Sequence, residues 1–201
     1  MRSTGAIILL VVLLLVGFAG CAGCSTYNNL VGLEAGVEQA WADVEAQYQR
    51  RADLVPSLVS TVQGAADFER TTITEVTEAR TRAQSTSVSP EQLDDPAAIR
   101  EFAAAQAELA GSVGRLINVV VEAYPELGAT AGFRDLQAQL EGTENRINTS
   151  RTRYNAAVAE FNATARRFPT NLFAGVVGMS PKAPFEAAEG TETAPEVDFN
   201  F

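Results

Sequence analysis

Residues 133–168 read FRDLQAQLEGTENRINTSRTRYNAAVAEFNATARRF, and this stretch decides the fold. Large apolar side chains recur in it at every seventh position: Phe133, Leu140, Ile147, Tyr154, Phe161 and Phe168. A seven-residue apolar repeat forms a continuous stripe along one side of an α-helix. Six repeats in phase therefore predict one helix of about 35 residues. It is expected to end at Pro169, because proline cannot continue a helix.

Two more helical segments are predicted upstream, on either side of a proline. The first covers residues 27–51, and its apolar stripe is formed by Leu30, Val37, Trp41, Val44 and Tyr48. We expect a break at residues 53–56, because the residue before a proline avoids the α-helical region. The second helix is then expected to begin at Pro56, where a missing N–H is harmless, and to run to about residue 86.

A third helix is predicted over residues 97–123, between a polar loop at residues 85–96 and Pro125. No stretch of the body alternates polar and apolar residues like a strand. The predicted fold is all-α, an up-down antiparallel four-helix bundle of long helices with an N-terminal membrane anchor. Three regions are expected: the anchor at residues 1–24, the bundle at residues 27–168, and a partly ordered tail at residues 169–201 whose phenylalanines can dock.

The first 24 residues have the pattern of a membrane or export segment. Residues 5–24 contain no charged side chain, and twenty helical residues span roughly 30 Å, the thickness of a bilayer core. Three interpretations remain open: a retained transmembrane helix, a cleaved secretory signal, or a lipoprotein signal. The third depends on Phe18–Ala19–Gly20–Cys21, which resembles the lipobox of bacterial lipoproteins and makes Cys21 the predicted lipid-attachment residue.

The distribution of basic residues predicts the side on which the body lies. Arg2 precedes the apolar run, and the next Lys or Arg is Arg50. By the positive-inside tendency the N-terminus then stays in the cytoplasm. We therefore expect a protein of the bacterial cell membrane, held to membrane lipid by its N-terminal anchor. Its body is expected on the exported side, periplasmic or extracellular.

Composition excludes several function classes. The chain has 25 acidic and 15 basic residues and a formal net charge of −10, so nucleic acid is not an expected partner. It has no histidine, and both cysteines, Cys21 and Cys24, lie in the N-terminal segment. Zinc sites built from Cys and His, and Ser-His-Asp or Cys-His catalysis, are thereby excluded from the body. We expect no catalytic residue, no cofactor and no metal site, and therefore no enzyme.

Motifs along the body resemble those of the LemA family. They are Tyr27–Val31 (YNNLV), Ala40–Val44 (AWADV), Arg50–Val59 (RRADLVPSLV), Glu75–Arg80 (EVTEAR), Glu122–Leu127 (EAYPEL) and Thr143–Ile147 (TENRI), followed by Tyr154–Asn155 and Phe168–Pro169. The resemblance covers nearly everything from Tyr27 to the tail. It implies a bacterial membrane protein with an anchor, a four-helix bundle and no established enzymatic activity. Members of this family are associated with membrane organisation, including a magnetosome protein, and with envelope stress.

Three polar groups in the body have a functional and a structural interpretation. Arg50–Arg51–x–Asp53 is either a docking site for an acidic partner or a helix end, at which Asp53 caps the following helix. The polar residues of 143–155 either bind a ligand or pair inside the bundle and fix its register. Four glutamates are interpreted as solvated charges in preference to ligands of a calcium or magnesium ion: Glu69, Glu75, Glu78 and Glu122.

Two functions follow from these expectations. The first is an anchored, non-catalytic scaffold or adaptor at the bacterial cell envelope, whose long helix faces bind protein partners or a second copy in a homo-oligomer. The alternative is a binding module for a small envelope ligand at the polar cluster of the fourth helix, around Arg146 and Arg151.

Overall fold

A computed structural model describes the backbone of residues 2–64 and 70–186. Side chains are described over the same ranges, except those of residues 2–4, 6–8, 11–12 and 14–22. Throughout this part the regular elements are helical and no strand occurs, which confirms the all-α class. The elements are α1 (Arg2–Gln63), α2 (Arg70–Ser85), a 3₁₀ turn (Pro90–Gln92), α3 (Pro96–Ala123), α4 (Pro125–Gly128), α5 (Ala131–Arg166) and α6 (Thr170–Val177).

Helix α1 corrects the predicted division of the chain. It is 62 residues long and passes through Pro56, so the expected break at residues 53–56 is wrong. A proline inside a helix leaves the carbonyl four residues earlier without its N–H donor. That carbonyl belongs to Ala52, and Arg80 of α2 donates its Nε–H to it at 2.8 Å. The neighbouring helix thus supplies the hydrogen bond that Pro56 cannot make, and α1 continues.

Helix α3 begins and ends close to its predicted limits. The side chain of Asp95 accepts a hydrogen bond from the Ala97 amide at 2.8 Å and caps the helix. The helix ends before Pro125, as the sequence predicts. Residues 86–95 form the predicted loop, which contains the 3₁₀ turn.

Helix α5 matches the predicted long helix. Five of the six repeat positions are buried: Phe133, Leu140, Ile147, Tyr154 and Phe161. Phe168 is 81% exposed, so its assignment to the buried stripe is wrong. The reason is that α5 ends at Arg166, before the sixth repeat position is reached.

The long helices pack mainly in two pairs, α1 with α5 and α2 with α3. Their apolar side chains form two core clusters. The lower core contains residues of α1 from Leu30 to Tyr48, of α3 from Ile99 to Phe102, and of α5 from Ile147 to Ala165. The upper core contains residues of α1 from Ala52 to Val62, of α2, of α3 from Leu109 to Val120, and Phe133 and Leu140 of α5. Burial of each large side chain contributes roughly 1.5–3 kcal/mol.

After α5 the described chain continues as a short helix and a docked segment. Helix α6 ends at Gly178, whose φ of 74° favours glycine. Residues 179–186, which we call the tail segment, then return along α5 without helical structure. Phe185 of this segment is buried, which confirms the expectation that a tail phenylalanine docks. The predicted tail beyond residue 186 lies outside the described residues.

Candidate functional site

A buried guanidinium separates the two cores. Arg51 of α1 is only 2% exposed and reaches α3 and α5. It donates to the backbone carbonyl of Gln106 at 2.7 Å and to that residue's side-chain oxygen at 2.9 Å. It also forms an ion pair with Glu144 at 2.9 Å. The Nε of Arg51 is buried and has no hydrogen-bond partner among the described residues.

This polar layer also connects α2 to the other helices. The Gln106 side chain donates to the carbonyl of Ala83 at 3.1 Å, so four helices meet at one level. Buried charges are costly unless they are paired and hydrogen-bonded. The layer therefore favours the helix alignment in which these partners face one another. This confirms the structural interpretation for Glu144 of the predicted polar cluster.

Neither interpretation of the Arg50–Arg51–x–Asp53 motif is correct for Arg51 and Asp53. Arg51 is buried and unavailable to an acidic partner, and no helix ends beside it. Asp53 accepts a hydrogen bond from Gln49 within α1 at 2.8 Å and caps nothing, because the predicted second helix does not start there.

Two asparagines of α5 hold the tail segment through its backbone. Asn162 donates to the carbonyl of Lys182 and accepts from its amide, both at 2.8 Å. Asn155 makes the same pair of bonds with Phe185, at 3.0 and 2.9 Å. Each side-chain amide thus replaces the donor and acceptor that a neighbouring strand would offer.

The spacing of these bonds explains why the two asparagines suit this task. Asn155 and Asn162 are seven residues apart on α5, which corresponds to about 10.5 Å along the helix axis. Lys182 and Phe185 are three residues apart, and an extended chain covers about 10 Å in three residues. The two repeats therefore match, and the tail segment runs antiparallel to α5 without a break in the pairing.

The tail segment lies in a groove between α1 and α5, which we call the tail groove, and aromatic side chains complete it. The ring of Phe185 stacks on Trp41 at a centroid distance of 5.5 Å and meets Tyr154 edge-on at 5.6 Å. The Tyr154 hydroxyl donates to the carbonyl of Ala183 at 2.8 Å. Burial raises the pKa of the Tyr154 hydroxyl well above its usual range. Lys182 forms an ion pair with Glu34 of α1 at 2.7 Å, so α1 also holds the segment.

The predicted polar cluster of the fourth helix divides between two sides of α5. Arg151 belongs to the tail groove, because its guanidinium lies 4.9 Å from the centroid of Phe185 and contacts the Glu186 carbonyl at 3.4 Å. Arg146 is exposed and lines two shallow surface clefts, of about 390 and 270 Å³. Arg50 lines the first of these clefts and Arg153 the second.

Two glutamates of the third polar group, Glu75 and Glu78, lie beside arginines. Glu75 pairs with Arg115 at 3.7 Å and Glu78 with Arg82 at 4.0 Å, all with exposed side chains. Glu69 lies outside the described residues. Among those that are described, no group of three or more acidic or cysteine side chains is placed to hold a metal ion.

The N-terminal part of α1 extends away from the cores. Leu9, Leu10 and Leu13 are 64%, 59% and 64% exposed. The side chain of Cys21, the predicted lipid-attachment residue, lies outside the described set. Within the described part of the chain, no helix is long and apolar enough to cross a membrane.

Comparison with known proteins identifies the family. The model of the LemA family matches residues 40–199 of this chain. The chain belongs to the LemA family. Two magnetosome proteins of Paramagnetospirillum magneticum, MamQ 1 and MamQ 2, are each 25% identical to it over 183 residues, 83% of this chain and 67% of theirs. Protein LemA of Metamycoplasma hominis is 22% identical over 165 residues, 81% of this chain and 69% of its own.

Two residues of the tail groove, Asn162 and Lys182, were not predicted from the sequence. Asn162 and Lys182 bond to each other although they are 20 residues apart in sequence. Neither residue is part of the apolar repeat from which the helices were predicted. The available hint was the seven-residue spacing of Asn155 and Asn162, directly after the buried positions Tyr154 and Phe161.

Proposed function

We propose that this LemA-family protein is a non-catalytic scaffold or adaptor held at the bacterial cell membrane. Its body is an up-down helical bundle, and residues 5–24 are its anchor. Protein partners or a second copy bind the exposed helix faces on the exported side. The anchor is either a retained helix or a lipid on Cys21.

The continuity of α1 carries this proposal. The charge-free run of residues 5–24 and the stripe that starts at Leu30 belong to one helix, Arg2–Gln63. Leu9, Leu10 and Leu13 are more than half exposed in the chain by itself. Exposed leucines in water are unfavourable by roughly 1.5–3 kcal/mol each relative to burial, and a bilayer would bury them. A rigid helix would then carry the body at a fixed distance from the membrane.

The comparisons support the same proposal. The family resemblance implies membrane association, and two relatives are named as magnetosome proteins. Five polar or charged residues are buried in the described part of the chain. Arg51 and Gln106 bond within the polar layer, and Ser112, Thr143 and Ser150 donate to carbonyls of their own helices, so packing explains all five.

Membrane fractionation of the full chain tests the anchor. We expect the protein to stay with membranes through an alkaline wash, and a variant with Leu9→Arg and Leu13→Arg to be released. The matched control is Thr152→Arg, an exposed position on α5. The mass of the N-terminal peptide, with and without Cys21→Ala, then separates the lipid anchor from the retained helix. A wild-type protein in the soluble fraction would refute the anchor.

Crosslinking tests the scaffold function separately. A photoreactive residue at exposed α5 positions should give a reproducible adduct in membranes, either with a partner or with a second copy. Recovery of monomer alone from every position would contradict the scaffold function.

A small-ligand function is the second candidate, favoured by the clefts around Arg146. Three arginines, Arg50, Arg146 and Arg153, line these clefts on the surface between α1 and α5. Each cleft also contains one carboxylate, Asp135 in the first and Asp43 in the second, so the two arginines of each cleft still favour an anionic ligand. Arg146→Ala and Arg153→Ala should leave the melting temperature nearly unchanged and abolish any shift produced by inorganic phosphate. Arg151→Ala should lower the melting temperature, because Arg151 holds Phe185.

A further inference from the structure

Helix α6 has an apolar side that nothing in the described part of the chain covers. Phe168, Leu172 and Val176 are 81%, 60% and 87% exposed. Leu172 and Val176 are four residues apart on the helix and therefore lie on the same side of it. Phe168 lies just before the helix begins at Thr170. On the other side, Ala174 is buried in the lower core and Phe173 is half-buried. A group of exposed large apolar side chains on one element is typical of a contact surface.

The position of α6 indicates what this surface contacts. Phe173 packs against α1 at Gly23, where an added Cβ would lie 2.9 Å from the Cε1 atom of the phenylalanine. Gly23 thus lets the Phe173 ring lie directly against α1, and a larger residue there would require the ring to shift. It lies at the end of the charge-free run of residues 5–24. The apolar side of α6 is therefore located where the proposed anchor leaves the bilayer.

Local charge at this end differs from that of the whole chain. The net charge is −10, yet there is no acidic residue between Glu160 and Glu186, and none before Glu34. Arg166 and Arg167 are exposed immediately before Phe168. Basic side chains beside an exposed apolar helix are attracted to anionic headgroups while the helix inserts its apolar side.

We propose that α6 is a second membrane contact, which lies in the interface of an anionic lipid bilayer beside the anchor. Phe168, Leu172 and Val176 insert between the headgroups and the first part of the acyl chains. Arg166 and Arg167 contact lipid phosphates. This inference rests on the proposed function, because the anchor brings α6 to the bilayer. Two contacts fix the tilt of the body, which a single anchor leaves free.

Tryptophan quenching in vesicles tests the contact. The full chain carrying Leu172→Trp is reconstituted into phosphatidylcholine–phosphatidylglycerol vesicles whose acyl chains are brominated near the headgroup. The matched control is Val121→Trp, since Val121 is 52% exposed and lies at the far end of α3, beside the upper core. The natural Trp41 is 2% exposed and gives the same background in every sample.

We expect loss of emission from the tryptophan at position 172, because an interfacial helix buries its apolar face about 5–10 Å into the headgroup and acyl boundary, and no loss at position 121. Val176→Trp serves as a second variant if Leu172→Trp does not fold. Vesicle-bound protein with no quenching at either α6 position would overturn the inference and leave the anchor intact. A blue-shifted but unquenched emission would instead show that protein covers α6, and would also overturn it. Protein that fails to float with the vesicles would refute the anchor and the α6 contact together.

Discussion

Release of the tail segment can be measured at a single peptide bond. Lys182 is the only lysine in the chain, so a lysine-specific endoproteinase has one cleavage site. The cleaved bond follows Lys182, whose backbone amide and carbonyl are both bonded to the side chain of Asn162 at 2.8 Å. Cleavage requires the segment to leave the groove, because a protease binds its substrate as an extended, unpaired chain.

The expected magnitude follows from the two bonds that Asn162→Ala removes. A neutral hydrogen bond contributes a net 0.5–1.5 kcal/mol, so the loss is about 2 kcal/mol. Under conditions in which opening is faster than cleavage, the rate follows the population of the open form. The cleavage rate of Asn162→Ala should therefore rise roughly thirtyfold over wild type. Asn155→Ala should show a similar increase, since it also removes two bonds.

The matched control is Asn148→Ala, an exposed asparagine on the same helix. Its cleavage rate should equal that of wild type. Mass spectrometry of the products confirms that the cut follows Lys182. A rate for Asn162→Ala within about threefold of wild type would refute the inference that the asparagines hold the segment, because that change corresponds to less than 1 kcal/mol.

Three further predictions concern the rest of the structure. Arg80→Met should lower the free energy of unfolding by about 1–3 kcal/mol in wild type. The loss should be smaller in a Pro56→Ala background, because the amide of Ala at position 56 can donate to the Ala52 carbonyl. Equal losses in denaturant titrations would contradict the role assigned to Arg80. Glu144→Ala should lower the free energy of unfolding by about 3 kcal/mol, because it leaves the buried Arg51 cation without its counterion. Arg51→Met should lower it by less, because the Glu144 carboxylate that remains is 44% exposed and can be solvated. A larger loss for Arg51→Met in denaturant titrations would contradict this account. The free energy of unfolding should fall as the pH rises above about 10, since the raised pKa of Tyr154 means that the unfolded state loses its proton first. The slope should be smaller by about 1.4 kcal/mol per pH unit in Tyr154→Phe, and an unchanged slope would exclude Tyr154 as its source.

The sequence predicted α5 and α3 well because their periodic stripes are also their buried faces. The stripe of α1 from Leu30 to Tyr48 was predicted for the same reason. Pro56 misled the prediction, since the local rule for proline cannot include a donor such as Arg80 that lies 24 residues further along the chain. Phe168 continues the seven-residue repeat in sequence, but α5 has already ended at Arg166.

The buried polar groups were harder to predict. Arg51 looks like a surface arginine in sequence and becomes buried only because Gln106 and Glu144 meet it from two other helices. The tail groove depends on backbone atoms of residues 182–185, which carry no distinguishing side-chain pattern. The role of Cys21 stays a prediction, to be decided by the N-terminal peptide.

Because α1 is one continuous helix, insertions between Gly23 and Leu30 would rotate the body relative to the N-terminal part of the helix. Each residue of an α-helix rotates the remainder of the helix by about 100° and advances it by about 1.5 Å. One inserted residue would turn the body about the axis of α1 by more than a quarter turn, and would point α6 away from its present direction. Seven inserted residues would restore the azimuth to within about 20° while raising the body by about 10.5 Å. The direction in which α6 points therefore depends on how far an insertion departs from a whole number of helical turns, and not on its length alone.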